Sequence, residues 1–439
     1  MSIEKHTVLE KTQEQMLYQI DDKPPLGVSI VLALQHILAA FAGIIAVPLV
    51  VAGALNLSVE ETSMMVSASI FVAGVTTVLQ SKGLGSIGSR VSGMMGTDFT
   101  FANPAISVGS RFGIAGIVGA TIAGSLVEIV LSRFIKPLMT FFPPLITGTV
   151  VALIGITLLP VSMDWAAGGS GAKDYGSVEN ISIAFVIMVF TLLLNHYGKG
   201  LWSTASVFIG MIFGYILCIF LGKVDLSAVN DAAWFALPNV FHYGVTFDLS
   251  AILSFIPAYV VSLIGTVGIM MAIGEASNTK MSSNRAANGV LADGVGSLIA
   301  GVFGAGPNTA FSQNVGLITL TKVASRHVMI LAGIILAVLG VFPKLSALIS
   351  IMPQPVLGGV GVIMFGLVAA QGIKTLATVK IGDRELLIIS VAFALGIGVT
   401  VRPELLVGLP TPIQMVLSSG ISTGTLAALI LNIVLKEKP

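Results

Sequence analysis

Two carboxamides stand side by side in the stretch SQNVGLITLTK, Gln313 and Asn314, inside a chain that is otherwise strongly apolar. An amide left without partners in an apolar medium costs roughly 2–7 kcal/mol, so either the fold or a ligand must satisfy them. A carboxamide presents two donors and an acceptor in one plane. It can therefore grip the edge of a flat heterocycle, as Asn and Gln do on base edges in nucleic acids. Asn314 has a second explanation, the cap of a helix. Gln313 has no such alternative.

Three further residues carry titratable groups in apolar surroundings. Asp98, in GTDFTFANPAISVG, lies five residues before Asn103. An intramembrane carboxylate is a functional candidate by default; it could accept N–H bonds from a substrate or shuttle a proton, or be held by neighbouring backbone N–H groups. Asp293, in ANGVLADGVGSLIAG, could carry a proton or hold the following segment in place. His36, in LALQHILAAFAGIIAVP, is the one histidine in the interior of an apolar run. Phe99 and Phe101 follow Asp98 closely, and either ring could stack on a flat ligand. Glu128 and Glu275 read as lying toward the ends of apolar runs, solvated or paired there. Gly113, Gly116, Gly119 and Gly124 read as close helix packing. Metal-ligand spacing, a nucleophile with its base, and nucleotide motifs are all missing from the sequence, so no metal, cofactor or ATP-driven step is expected.

The elements that must position these residues follow from composition. The chain has 439 residues, 55% hydrophobic and 10% charged, where soluble domains carry about 25% charged residues. With a mean hydropathy of +0.98, this is the composition of an integral membrane protein. A net charge of +1 leaves no electrostatic footprint for nucleic acid. The single cysteine, Cys218, rules out a disulfide framework and reads as a small core hydrophobe. Residues 1–26 are polar and mixed in charge, which reads as a cytoplasmic tail and not a signal peptide.

Apolar runs long enough to approach a membrane crossing fall at 27–50, 62–80, 91–110, 113–132, 144–162, 181–195 and 203–221 in the first half. The second half adds 249–273, 289–305, 308–321, 327–348, 355–371, 385–401 and 413–435. Fourteen spans put both termini on one side. If that side is the cytoplasm, its loops hold Lys82, Arg90, Arg133, Lys136, Lys199, Lys280, Arg285, Lys322, Arg326, Lys374, Lys380 and Arg384. The outside loop 54–61 holds no Lys or Arg, which fits the positive-inside rule.

The two halves repeat. At an offset of 211 residues Pro144 matches Pro355, Gly148 matches Gly359, and Gly155 matches Gly366. The same offset pairs Asn103 with Asn314, Arg111 with Lys322, and Arg133 with Lys344. Seven spans per half make the repeats inverted, a transporter architecture whose site lies near the midplane where broken helices meet. In each half the repeat predicts a break: extended TDFTF feeding a helix capped by Asn103 with Pro104 at its first position, and extended NTAFSQ leading to Asn314. Extended backbone at that depth must be buried in protein or line a cavity. Two half-helices with inward positive ends then make a polar pocket.

The stretches SQNVGLITLTK, GVLADG, LQHILAAFAGIIAVPLVV, FFPPLITGTVVALIGITLLP and MPQPVLGGVGVIMFG closely resemble the nucleobase–ascorbate transporter family, the nucleobase:cation symporters, from about residue 27 to 434. The Gln-Asn form of the signature is similar to the xanthine and urate carriers, whereas uracil carriers tend to show Glu-Asn. The resemblance implies fourteen spans in two inverted repeats, with short extended segments in spans 3 and 10. It implies a core domain at 27–132 (spans 1–4) and 249–348 (spans 8–11), with a gate domain at 144–221 (spans 5–7) and 355–435 (spans 12–14). It further implies purine uptake by core movement against the gate, a proton as coupling ion, a multi-pass protein of the plasma or inner membrane, and a homodimer through the gate. Gln313 and Asn314 would face the purine, Asp293 and His36 match family polar positions, and the TDFTF backbone would contact the base.

One departure shapes the expected ligand. Relatives carry a glutamate in span 8, and the resemblance puts Gly265 in its place and Ile269 at the next polar position. Glu275 lies ten residues past Gly265, about 15 Å along a helix, too far to substitute. Asp98 stands where purine-carrying relatives tend to have Asn, Thr or Ser, so the pocket's carboxylate is expected to have moved to span 3, which admits a guanine-like base. The rival readings are an inorganic-anion or bicarbonate transporter on the same fold, a membrane enzyme, and a transport-inactive sensor. An anion pocket calls for positive charge where this sequence puts Asp98, and an enzyme calls for a catalytic constellation that the sequence lacks.

Overall fold

The structure is a computed structural model that describes residues 16–435. Residues 1–15 of the expected tail, and residues 436–439, lie outside the described residues. In the first half, α1 (Leu26–Ala54) and α2 (Val59–Lys82) lead to strand β1 (Met95–Thr97), a 3₁₀ turn at Phe99–Phe101 and α3 (Ala102–Leu131). Then come α4 (Ile135–Phe141), α5 (Pro144–Ala166), α6 (Val178–Tyr197), α7 (Leu201–Thr204), α8 (Ser206–Phe220) and α9 (Ser227–Asp231). The second half repeats the plan with α10 (Leu249–Ala276), α11 (Ser283–Phe303), strand β2 (Asn308–Ala310) and α12 (Gln313–Thr321). It closes with α13 (Arg326–Leu339), α14 (Pro343–Ser350), α15 (Gln354–Leu376), α16 (Asp383–Val401), α17 (Thr411–Ser418) and α18 (Gly420–Val434).

Local chemistry sets several of these boundaries. At the start of α2, Ser58 Oγ accepts from Glu61 N at 3.2 Å while Glu61 Oε2 accepts from Ser58 N at 2.9 Å, a reciprocal capping box. Asp248 Oδ1 accepts from Ser250 N and Ala251 N to start α10. Prolines open α5 and α14 within the first turn, where a missing N–H costs nothing.

Among the described residues, nine helices are long and apolar enough to cross a membrane, or eleven if two bent pairs are counted. Those pairs are α13 with α14, bent by 79°, and α17 with α18, bent by 91°. Fourteen is reached only by adding the 15-residue α8, adding the nine-residue α12, and dividing α3 at Gly113. Gly113 is where the expectation for the glycine series changes. Its φ of 66° and ψ of −171° break the helix, and a Cβ there would meet nothing within 4 Å, so it is a hinge and not a packing position. Gly119 and Gly124 do pack closely, against Thr246 O and the Tyr259 ring.

The repeat is physical. In the antiparallel pairing of β1 with β2, Thr97 faces Asn308, the offset of 211 found in the sequence, so a pseudo-two-fold axis passes between them. The equivalent helices α5 and α15 lie against each other along their lengths. A Cβ on Gly155 would fall 2.3 Å from Ala369 N, and one on Gly372 would fall 2.1 Å from Ala152 N. Backbone contact this close needs glycine. The interior is filled by buried side chains such as Ile44, Leu153, Leu158, Leu263 and Phe365.

Candidate functional site

The two strands sit at the centre of the candidate site. Met95 pairs with Ala310 and Gly96 with Thr309, and the ladder extends through Asp98 N donating to Pro307 O at 3.1 Å and Phe311 N donating to Met94 O at 2.8 Å. Thr97 Oγ1 donates to Ile44 O of α1 at 2.8 Å. Gly96 has no room for a side chain, since a Cβ would come within 2.7 Å of Ile44 Cγ1 and 2.9 Å of Phe311 Cζ. The irregular backbone is thus enclosed by protein, the condition for tolerating it at membrane depth. Helices α3 and α12 both start within five residues of this pair, which brings two positive helix ends to one place.

The predicted helix starts shift by a few residues. Asp98, not Asn103, caps the first turn, its Oδ1 accepting from Thr100 N at 2.8 Å and Thr100 Oγ1 at 2.7 Å. The extended segment therefore ends at Asp98, and Phe99–Phe101 is a 3₁₀ turn leading into α3, with Asn103 already helical. In the second half Ser312 precedes α12 and Asn314 lies within its first turn, so Asn314 is no cap.

Asn314 is fully buried, and its Nδ2 donates to His36 O at 3.1 Å and lies 2.9 Å from His36 Nδ1. The carbonyl fixes which amide atom is nitrogen. The second hydrogen then makes His36 Nδ1 an acceptor, so the imidazole is the neutral tautomer with its proton on Nε2. Asn314 Oδ1 is buried without a partner. Gln313 is exposed beside it and makes no hydrogen bond among the described residues. α10 packs next to α12; Gly265 and Gly268 on α10 and Gly316 on α12 are all bordered by open space. A groove of about 600 Å³ lies along the C-terminal part of α10, lined by Gly268, Met271, Ala272, Glu275 and Met281; Gln313, Asn314 and Asp98 do not line it.

Asp98 is 8% exposed. Thr100 engages its Oδ1, and the Ser262 hydroxyl of α10 lies beside the carboxylate. Phe99 is half-buried and meets Phe365 of α15 edge-on, ring centroids 5.4 Å apart. Phe101 corrects the expectation of a second stacking ring: it is buried in the core against Tyr259 at 4.5 Å and Phe255 at 5.6 Å.

Asp293 lies midway along its helix. It is fully buried on α11, and its Oδ2 accepts from Thr266 Oγ1 of α10. Thr266 Oγ1 lies 3.1 Å from Thr309 Oγ1, so a hydroxyl chain runs from Asp293 to β2. The expectation for Glu128 is overturned. It is neither solvated nor paired but fully buried, with both carboxylate oxygens lacking hydrogen-bond partners. The signal was available: Thr121, Ser125 and Glu128 follow a helical spacing of polar residues on one face of α3. Asn308 is a second residue the sequence reading passed over, its whole carboxamide buried without a partner.

Inverted halves that bring two strand-fed half-helices to one place are a membrane-transporter architecture. A sequence profile described as a permease family matches residues 27–405, and the chain belongs to this family, that of the xanthine and uric acid permeases. A Clostridium perfringens protein provisionally named a purine permease (CPE0397) is 57% identical over 431 residues, covering 98% of this chain and 95% of its own. The uric acid transporter UacT of Escherichia coli is 39% identical over 427 residues, covering 96% and 89%. The xanthine permease of Bacillus subtilis is 39% identical over 410 residues, covering 93% and 94%. Among solved structures, the transmembrane domain of a cyanobacterial bicarbonate transporter, BicA, superposes with a TM-score of 0.61 at 15% identity, covering 93% of this chain and all of that one. That likeness is one of fold.

Proposed function

We propose that this chain is a secondary active transporter that imports a purine nucleobase of the oxopurine class, with guanine-like bases admitted by Asp98. The observation that carries the reading is Gln313: an exposed carboxamide with no hydrogen bond among the described residues, at the start of the half-helix α12, with open space at Gly316 on the same helix. Gln313 grips the edge of the base. Asn314, held by His36, fixes the orientation of the half-helix and turns an unpaired Oδ1 toward the site. Asp98 Oδ2 accepts N–H groups from the base, and Phe99 covers a ring face. The relatives named for purine, uric acid and xanthine transport support this substrate class.

In this reading the helices around the strand pair move as a core against a gate built on α5 and α15, and the proton gradient drives the cycle through Asp293. Both termini lie in the cytoplasm, and a homodimer forms through the gate helices. The test is uptake of labelled xanthine by cells expressing the chain, competed by unlabelled xanthine, urate, guanine, adenine and uracil at two pH values. Competition by oxopurines, stronger at low external pH, is expected. Competition by bicarbonate or sulfate, and by no purine, refutes the proposal.

A further inference from the structure

Glu128 has no place in the mechanism above, yet it is fully buried with neither carboxylate oxygen hydrogen-bonded. Three of the four carboxylate oxygens of Glu128 and Asp293 are buried without a hydrogen-bond partner. The two residues sit on touching turns of α3 and α11, where a Cβ on Gly294 would fall 3.0 Å from Ile129 N and 3.3 Å from Ser125 O. The titratable groups acting on this pair are Asp98, ahead of α3, and Tyr259 of α10, whose hydroxyl donates to Thr121 O at 2.8 Å. No lysine, arginine or histidine is among them. Two carboxylates in a desolvated site with no cation cannot both stay ionised.

We propose that Glu128 and Asp293 together hold the coupling proton, and that Thr266 and Thr309 report its presence to the substrate face. The chemistry is a reversal of hydrogen-bond direction. With Asp293 ionised, Thr266 donates to its Oδ2 and accepts from Thr309, which leaves Thr309 an acceptor toward the site. With a proton on Asp293 Oδ2, Asp293 donates to Thr266, Thr266 donates to Thr309, and the Thr309 hydrogen is free for a ligand. Glu128 is a positioning residue: it places the proton on the pair and touches no substrate. Thr309 is half-buried on β2 opposite Gly96, so the chain of hydroxyls ends at a partly exposed side chain of the strand pair.

This inference rests on the transport reading, and its test separates the two. Purified protein is reconstituted in liposomes under an imposed gradient of one pH unit, with labelled xanthine as probe. One proton per substrate supports about tenfold accumulation, since one pH unit is worth a factor of ten. Glu128→Gln should bring that ratio down to one while exchange of internal for external xanthine continues. Thr266→Val should uncouple in the same way with Glu128 intact. A Glu128→Gln protein that still accumulates xanthine like wild type overturns the proposal. Infrared spectroscopy of the detergent-purified protein at neutral pH reads the proton without any transport. A carboxylic-acid carbonyl band in wild type, lost in both Glu128→Gln and Asp293→Asn, supports the pair even if xanthine proves not to be carried. Absence of that band in wild type overturns the proposal whatever the transport result.

Discussion

The contact between Asn314 and His36 makes a prediction in which two similar replacements part company. Asn314 Nδ2 spends its two hydrogens on His36 Nδ1, 2.9 Å away, and His36 O, 3.1 Å away. His36→Leu keeps the backbone acceptor and removes the ring acceptor, which strands one buried N–H. An unsatisfied buried donor costs about 1–3 kcal/mol, or roughly 5–150-fold if all of it appears in substrate affinity. His36→Asn can return an acceptor near the position of Nδ1 and should recover most of the loss. His36→Gln places its amide one atom further out, near the old Nε2, and should not. The assay is the concentration dependence of labelled xanthine uptake, with thermal unfolding in detergent as a control for folding. The apparent affinity should fall in the order wild type, Asn, then Gln and Leu together. Equal performance of Gln and Asn, or a Leu variant that matches wild type, refutes the role given to Nδ1.

Asp98→Asn keeps an oxygen that can accept from Thr100 N and Oγ1, so melting temperature should hold while base selectivity and the pH dependence of uptake change. Unchanged uptake at every pH rules out a carboxylate role there. Gly155→Leu forces a side chain into the backbone of α15, where even a Cβ would lie 2.3 Å from Ala369 N. Overpacking costs about 1–3 kcal/mol, and a lowered unfolding temperature is the expected readout. Gly113→Ala meets no neighbour, yet φ of 66° with ψ of −171° is a conformation that L residues avoid at about 1–3 kcal/mol. It should straighten α3 or weaken it, seen as slower uptake with expression retained; wild-type uptake and stability would mean that Gly113 is no hinge.

Much of the architecture was legible because the repeat leaves matched glycines and prolines at one offset, and those residues mark where helices start or touch. The same logic located the strand pair, since β-branched and aromatic residues ahead of Asn103 and Asn314 suit extended chain. The exact caps were not legible. Asp98 and Asn103 are both good N-cap residues, and the choice was decided by the Thr100 hydroxyl, which adds a second donor to Asp98. Phe99 and Phe101 look equivalent in sequence, but the 3₁₀ turn they bound sends one ring, half-buried, against Phe365 and the other into the core against Tyr259 and Phe255. Glu128 was misplaced because the apolar run 113–132 ends near it, whereas helical structure continues past Leu131 through a 3₁₀ turn at Ser132–Phe134 into α4. Burial of a carboxylate depends on what α11 brings to it, which no local window contains.

The chain ahead of α1 is not a loose tether over residues 17–22. Leu17 N donates to Lys322 O at 2.8 Å, Ala324 N to Tyr18 O at 2.9 Å, and Arg326 N to Ile20 O at 2.9 Å. Asp21 Oδ1 accepts from Arg326 Nε at 2.6 Å. These bonds stitch the arm to the turn that follows α12, so the half-helix bearing Gln313 is moored at both ends, to β2 on one side and to the arm on the other. A displacement of that helix along its axis therefore drags the arm with it. Since the only native thiol, Cys218, is buried, a single cysteine placed at Met16 would carry a reporter to the outer end of the arm moored to that helix.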